Sequence, residues 1–176
     1  MRQTIRFFLA ACTLLSVLPA AASAVELPTR KAGLWELKMI RAGSPVPEMT
    51  MQQCTDETTD KQMTANFSPM AKQNCSKNET QQTTTGYVTD SVCSYGGTTM
   101  TSHTEISGDF NSGYAVKVTS HNDSAPAGVP RDNNVTLEAK WIGACGADQR
   151  PGDIVMPGGF RLNIKDMEKV KGLLPK

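Results

Sequence analysis

The fold is decided by residues 87–106, YVTDSVCSYGGTTMTSHTEI. Residues 87–95 and residues 98–106 each alternate with a period of two, which is typical of strands with one face buried. Gly96 and Gly97 separate the two segments, and a glycine pair is a strong turn signal. The sequence therefore predicts an antiparallel hairpin here, and the neighbouring segments extend it in both directions.

The chain after this hairpin repeats the pattern of strand and turn. Residues 108–113 predict a turn, after which Tyr114, Val116 and Val118 share one face of a strand. Residues 122–134 form a long loop rich in Pro, Gly, Asp and Asn, which are turn-forming residues. The clearest buried stripe follows this loop and consists of Val135, Leu137, Ala139 and Trp141.

The chain before the hairpin also alternates. Residues 33–41 predict a strand in which Trp35, Leu37 and Met39 share a face, and residues 49–53 predict a short strand. In total we expect six to eight strands, with Trp35 and Trp141 in the core. A meander of this length must curl or close to protect its edges.

The expected fold is therefore mainly all-β: a curved antiparallel meander or half-barrel with one or two short helices. A β-sandwich is the alternative. One helix is predicted over residues 56–65, with Thr55 or Asp56 as its N-cap. A second is predicted over residues 163–174, with Asn163 as its N-cap.

The first 24 residues indicate the destination of the chain. Arg2 and Arg6 are followed by an apolar run of about 12 residues and then by small residues ending at Ala24. This order predicts a Sec-type signal peptide cleaved between Ala24 and Val25, and the apolar run is too short to span a bilayer. We expect a periplasmic or secreted protein with no transmembrane segment after cleavage.

Cys12 offers a competing interpretation, because residues 9–12, LAAC, are similar to the lipobox of bacterial lipoproteins. Only about five apolar residues precede Cys12, whereas a signal peptide has an apolar region of about 7–15 residues, and the apolar run continues beyond the cysteine. We therefore do not expect lipidation at Cys12.

The exported chain has the size of one domain. Residues 25–176 form it, with a core over about 31–146 and a C-terminal extension over 147–176. Of the 18 basic residues, Arg2 and Arg6 leave with the signal, so 16 remain against 17 acidic residues and the net charge becomes −1. No basic stripe is present, and nucleic-acid binding is therefore not expected.

The number of cysteines is consistent with export to an oxidising compartment. Four remain after cleavage, an even number, and they allow three pairings. We favour Cys75–Cys93, because the chain between them folds symmetrically about residue 84, and consequently Cys54–Cys145. A zinc site is the alternative, which the absence of any CxxC spacing disfavours.

Two methionines and the two histidines are further candidate site residues. Met49 and Met51 place two thioethers on one face of a strand, and soft sulfur ligands select Cu(I). We expect these side chains to pack in the core, with a Cu(I) site as the alternative. His103 or His121 would complete such a site. Neither histidine belongs to a catalytic signature, no nucleophile elbow or phosphate-binding loop is present, and no cofactor or enzymatic activity is predicted.

Several short segments together resemble one protein family. They are 31–36 (KAGLWE), 108–110 (GDF), 140–145 (KWIGAC) and 150–157 (RPGDIVMP), with the four cysteines among them. In this order they are similar to family 3617 of the domains of unknown function, small exported proteins of Gram-negative bacteria. The resemblance implies an exported location and a compact domain of about this size. It implies no activity and no catalytic residues.

The functional expectation follows from architecture. A curved sheet offers a concave face to a small apolar ligand or to a segment of another protein. We therefore expect a non-enzymatic binding or interaction module, with a periplasmic Cu(I) carrier using Met49 and Met51 as the alternative. The identity of the ligand or partner stays open.

Overall fold

A computed structural model describes residues 25–43, 47–126 and 128–166, with the backbone alone over 65–70. The predicted signal peptide, residues 1–24, and residues 167–174 of the predicted C-terminal helix lie outside this description, as do residues 175–176. The described elements are β1 Gly33–Arg41, β2 Met49–Thr55, α1 Glu57–Asn74, β3 Cys75–Gln82, β4 Gly86–Tyr95, β5 Thr98–Asp109, β6 Gly113–Asn122, β7 Asp132–Gly143, β8 Asp153–Val155 and β9 Arg161–Asn163.

All nine strands belong to one antiparallel sheet, in the order β3-β4-β5-β6-β7-β1-β2-β8-β9. The prediction of a mainly β fold built on one antiparallel sheet is confirmed, and the sheet is open rather than a closed barrel. The alternative of a β-sandwich is wrong, because no second sheet is present among the described residues. Strands β3 to β7 follow one another as a meander, and β1 pairs with β7 to bring the N-terminal part of the chain back into the sheet.

The number of strands exceeds the expected six to eight because of β8 and β9. Each has three residues, and both lie in the segment predicted as a C-terminal extension. They continue the sheet from β2, where Gln53 pairs with Ile154 and Ile154 pairs with Leu162. Three residues are too few to show a period of two, so alternation does not reveal such strands.

The predicted helix over 56–65 begins where expected, but it ends at Asn74, nine residues beyond its predicted end. Asp56 is its N-cap: the carboxylate accepts a hydrogen bond from the backbone N–H of Thr59 at 2.8 Å, and the Thr59 hydroxyl accepts one from the Asp56 N–H at 2.9 Å. This reciprocal pair satisfies two N–H groups that a helix start leaves unpaired. The helix continues to Asn74 through Ser68 and Pro69, which favour a helix interior poorly, and its C-terminal part contacts β3 and β4.

Helix α1 lies across the face of the sheet that carries Trp35 and Leu137, called here the concave face. Its main contacts are with β2, β3 and β4. Strands β5, β6, β7 and β1 lie between β4 and β2 in the sheet, so the helix contacts strands on both sides of these four. An 18-residue helix is about 27 Å long, enough to span that distance.

Candidate ligand-binding face

Strand register places the apolar side chains of four neighbouring strands on the concave face. Leu37 of β1 lies opposite Ala139 of β7 and opposite Met51 of β2. On the other side of β7, Val116 of β6 lies opposite Leu137. Since directly opposed residues point to the same side of a sheet, these side chains form one apolar surface.

This apolar surface is only partly buried, although α1 lies above it. Trp35, Leu37 and Ala139 are buried, with 0%, 8% and 4% of their surface exposed. Around them the remaining apolar side chains keep intermediate exposure: Met39, Met49, Met51, Val116, Val118, Val135 and Leu137. A filled interior would bury these side chains at the density of an organic crystal. The concave face therefore retains accessible apolar surface.

An aromatic row crosses one end of the concave face. Tyr87 meets Phe110 edge-on at 6.3 Å between ring centroids, Phe110 stacks on Tyr114 at 4.8 Å, and Tyr114 meets Trp35 at 5.7 Å. Burial raises the pKa of the Tyr114 phenol, and the positive charge of Arg30 acts in the opposite direction. Contacts of this kind bury a large apolar area with defined geometry, so these four rings close this end of the face.

An open cleft of about 410 Å³ lies outside the aromatic row. Its walls are the chain at residues 28–29, the β3–β4 turn and the β5–β6 turn. Asp109 in this cleft accepts hydrogen bonds from the Asn111 backbone at 2.9 Å and the Ser112 hydroxyl at 2.8 Å, and these bonds hold the pKa of its carboxyl below the ordinary value. The carboxylate thus stabilises a turn.

The start of α1 is joined to the sheet by a buried ion pair. Arg30 donates from Nε to Asp60 Oδ1 at 2.6 Å and from its backbone N–H to Asp60 Oδ2 at 2.8 Å. The guanidinium also donates to Gln53 Oε1 at 3.1 Å and lies over the Trp35 ring. Both charged side chains are less than a tenth exposed. We call Arg30, Asp60 and Gln53 the latch.

The sequence predicts no helix or strand over residues 25–31 and does not reveal the latch. In the structure Arg30 is held by Asp60, and the Lys31 backbone N–H donates to the Phe110 carbonyl at 2.9 Å. Arg30 and Asp60 are 30 residues apart, and no local pattern links them. The one sequence signal for the latch is a charged residue, Arg30, shortly before the first apolar strand.

The convex face, opposite α1, carries both histidines. His103 Nδ1 lies 2.7 Å from Asp90 Oδ1 and Nε2 lies 3.7 Å from Glu105. The hydrogen bond to Asp90 raises the pKa of His103, against a smaller opposing effect of desolvation. His121 likewise lies between Asp132 at 2.7 Å and Asp123 at 3.4 Å. Each imidazole therefore faces two carboxylates rather than a hydroxyl that it could activate.

The methionine pair lies on the concave face, apart from the histidines. Met49 is opposite Met39 and Met51 is opposite Leu37. The structure thus adds Met39 to the pair and removes His103 and His121 as partners, because those side chains point to the convex face. Within the described ranges, no group of three or more His, Cys, Asp or Glu side chains could hold a metal ion.

The four cysteines lie in two pairs, Cys54–Cys145 and Cys75–Cys93, the same pairs that we favoured from the sequence. Cys54–Cys145 joins the end of β2 to the chain after β7, and Cys54 is fully buried. Cys75–Cys93 joins the first residue of β3 to β4 directly opposite it. The second pair also holds the C-terminal end of α1, since Cys75 is its C-cap.

These features define a class of protein: a single curved antiparallel sheet, bound by two disulfides, with a helix across an incompletely covered apolar face. The chain belongs to the family described as protein of unknown function DUF3617, whose model matches residues 30–145.

No curated protein matches the chain, and no solved structure matches it. In the part of the chain that the structure describes, no helix has the length and apolar character needed to cross a membrane.

Proposed function

We propose that this protein is exported and binds a small apolar ligand, without catalysis, between α1 and the concave face. The observation that carries the proposal is the partial exposure of the apolar side chains under the helix, among them Met51, Val118 and Leu137. Ligand sites are concave, mostly apolar and largely preformed. The ligand would supply the packing that the chain leaves incomplete.

Export is proposed on two grounds. Residues 1–24 have the positive charge, the apolar run and the small residues at the cleavage site that are typical of a signal peptide. Two disulfides belong in an oxidising compartment rather than in the cytoplasm. The proposal that binding is non-catalytic draws on the histidines, which face carboxylates on the convex side and lie away from the apolar surface.

A bulky side chain in the middle of the apolar surface should abolish ligand uptake. Val118→Trp places a ring beside Val135, its partner in β7. We expect this variant to bind the neutral apolar dye N-phenyl-1-naphthylamine at least about ten-fold more weakly than wild type, because one methylene in an apolar pocket already changes affinity by about ten-fold or more. Dye fluorescence during titration of residues 25–176 measures the effect.

The matched control is Thr119→Trp, which adds the same ring one residue later, on the convex face. It should bind the dye as wild type does, and both variants should keep the wild-type unfolding midpoint. Equal dye binding by all three proteins would contradict the site, and negligible binding by wild type would contradict the proposed function. Displacement of bound dye only by peptides would favour a segment of another protein as the occupant.

The second candidate function is a Cu(I) carrier, favoured by the alignment of Met39 with Met49 and by Met51 on the same face. Three thioethers form a soft ligand set suited to Cu(I). Met49→Leu/Met51→Leu preserves apolar volume and removes two sulfur atoms. If the protein carries copper, this variant should lose Cu(I) uptake in a competition titration and keep dye binding. Equal, negligible Cu(I) uptake by both proteins eliminates the carrier.

A further inference from the structure

Charge is segregated between the two faces of the sheet. Register places the acidic, basic and histidine side chains of the long strands at convex positions, as in the opposed pairs Glu36–Lys140 and Glu105–Lys117. Among the concave positions of the nine strands the exception is Arg41, at the exposed end of β1. Arg30 and Asp60 reach the concave side but neutralise each other. Within the nine described strands, the interior of the concave face thus carries no unpaired charge.

One half of the concave face is lined by hydroxyl and amide groups. Asn78 of β3, Ser91 of β4, Ser102 of β5 and Ser120 of β6 are opposed in succession and form a row across four strands. A second row beside it contains Thr80, Thr89 and Thr104.

The hydroxyl groups of these rows differ in what they bind. The Thr80 and Thr89 hydroxyls bond each other at 2.9 Å. Within the described ranges, the hydroxyls of Ser91, Ser102 and Thr104 make no side-chain hydrogen bond, and all three side chains are half-buried. They are therefore available to a ligand.

The polar half adjoins the apolar half without a gap. Thr104 of β5 lies opposite Val118 of β6, and Val118 lies opposite Val135 of β7. A molecule lying across these strands would place its apolar part on β6, β7, β1 and β2. Its other end would reach the free hydroxyls of β4 and β5.

We infer that the ligand is an uncharged amphiphile with a hydroxyl-bearing head group, an inference that rests on the proposed function. Hydroxyl side chains donate to and accept from a neutral head group. A carboxylate or ammonium on the same surface would lose water without gaining an opposite charge, which is costly. The head group contacts β4 and β5, and the apolar chain contacts the methionines, valines and leucines of the other half.

Three probes with the same C14 chain test this inference: 1-monomyristoylglycerol, myristate and tetradecyltrimethylammonium. Each displaces N-phenyl-1-naphthylamine from residues 25–176 at pH 8, below its micelle concentration. We expect the neutral glyceride to bind at least about ten-fold more tightly than either ion, because an unpaired charge in a partly desolvated site is disfavoured. Binding of an ion as tight as that of the glyceride overturns the inference and leaves the proposed function standing.

Substitutions distinguish the part of the site that binds the head group from the part that binds the apolar chain. Thr104→Lys should reverse the preference toward myristate, because it supplies the missing positive charge, while Glu105→Lys on the convex face should not. Ser102→Ala/Thr104→Val should lose the preference for the glyceride and keep dye affinity. If wild type binds neither dye nor any probe, the proposed function itself is overturned. If Thr104→Lys and Glu105→Lys act alike, the placement of the head group is wrong.

Discussion

Replacing Cys54 and Cys145 together by serine is expected to lower the free energy of unfolding by about 4–5 kcal/mol. The bridge joins residues 91 apart in the chain, and a cross-link that closes a long loop removes much entropy from the unfolded chain. It also holds β2 to the end of β7 at a fully buried cysteine. Urea denaturation of residues 25–176 under oxidising conditions measures the loss.

The second bridge is the matched control for this prediction. Cys75 and Cys93 are 18 residues apart, so their replacement by serine should cost about 3 kcal/mol, less than the first pair. The order of the two losses is the critical observation. A larger loss from the Cys75/Cys93 variant would show that strain or packing, rather than loop length, determines what each bridge contributes.

Arg30→Met is expected to destabilise the domain by about 3–5 kcal/mol, because it leaves the Asp60 carboxylate buried without its partner. Asp60 is 6% exposed, and the variant removes the guanidinium that donates to its carboxylate from Nε at 2.6 Å, while the backbone N–H of residue 30 still donates at 2.8 Å. Replacing both residues, as Arg30→Met/Asp60→Leu, should recover much of the loss, since apolar packing often substitutes for a buried pair. Chemical denaturation of the two variants measures both effects.

Lys61→Met provides the control one residue further along α1. Lys61 forms an exposed ion pair with Glu57 at 2.6 Å, with side chains 64% and 73% exposed. Its loss should leave the denaturation midpoint close to that of wild type, because solvent screens an exposed ion pair on a helix. If Arg30→Met costs as little as Lys61→Met, the latch does not hold the helix to the sheet.

The sequence was sufficient for the strands and turns that depend on local pattern. The alternation of residues 33–41 predicted β1 with its observed bounds, and Gly96 and Gly97 adopt positive φ angles of 57° and 82° in the predicted turn. Both signals lie within a few neighbouring residues. The apolar stripe of β7 was visible for the same reason.

The features that the sequence did not reveal depend on contacts between distant residues. The extension of α1 beyond residue 65 runs through Ser68 and Pro69, which disfavour a helix interior, so no local pattern predicts it. The hydroxyl rows require the register of four strands at once, and a one-residue slip would move every member to the other face. The latch joins a residue before β1 to one in α1. Alternation shows which side of a strand is apolar, but not what lies above it.

The position of β1 between β2 and β7 imposes an order on folding. Its pairing with β7 joins residues about 100 positions apart, as in the pair Trp35–Trp141, and such distant pairings form slowly. In a chain that crosses a membrane N-terminus first, the apolar segment 34–40 would emerge long before its partner strand. Until β7 is available for pairing, that segment is exposed and prone to aggregate. The yield of folded domain should therefore depend on chaperones that bind the unfolded chain.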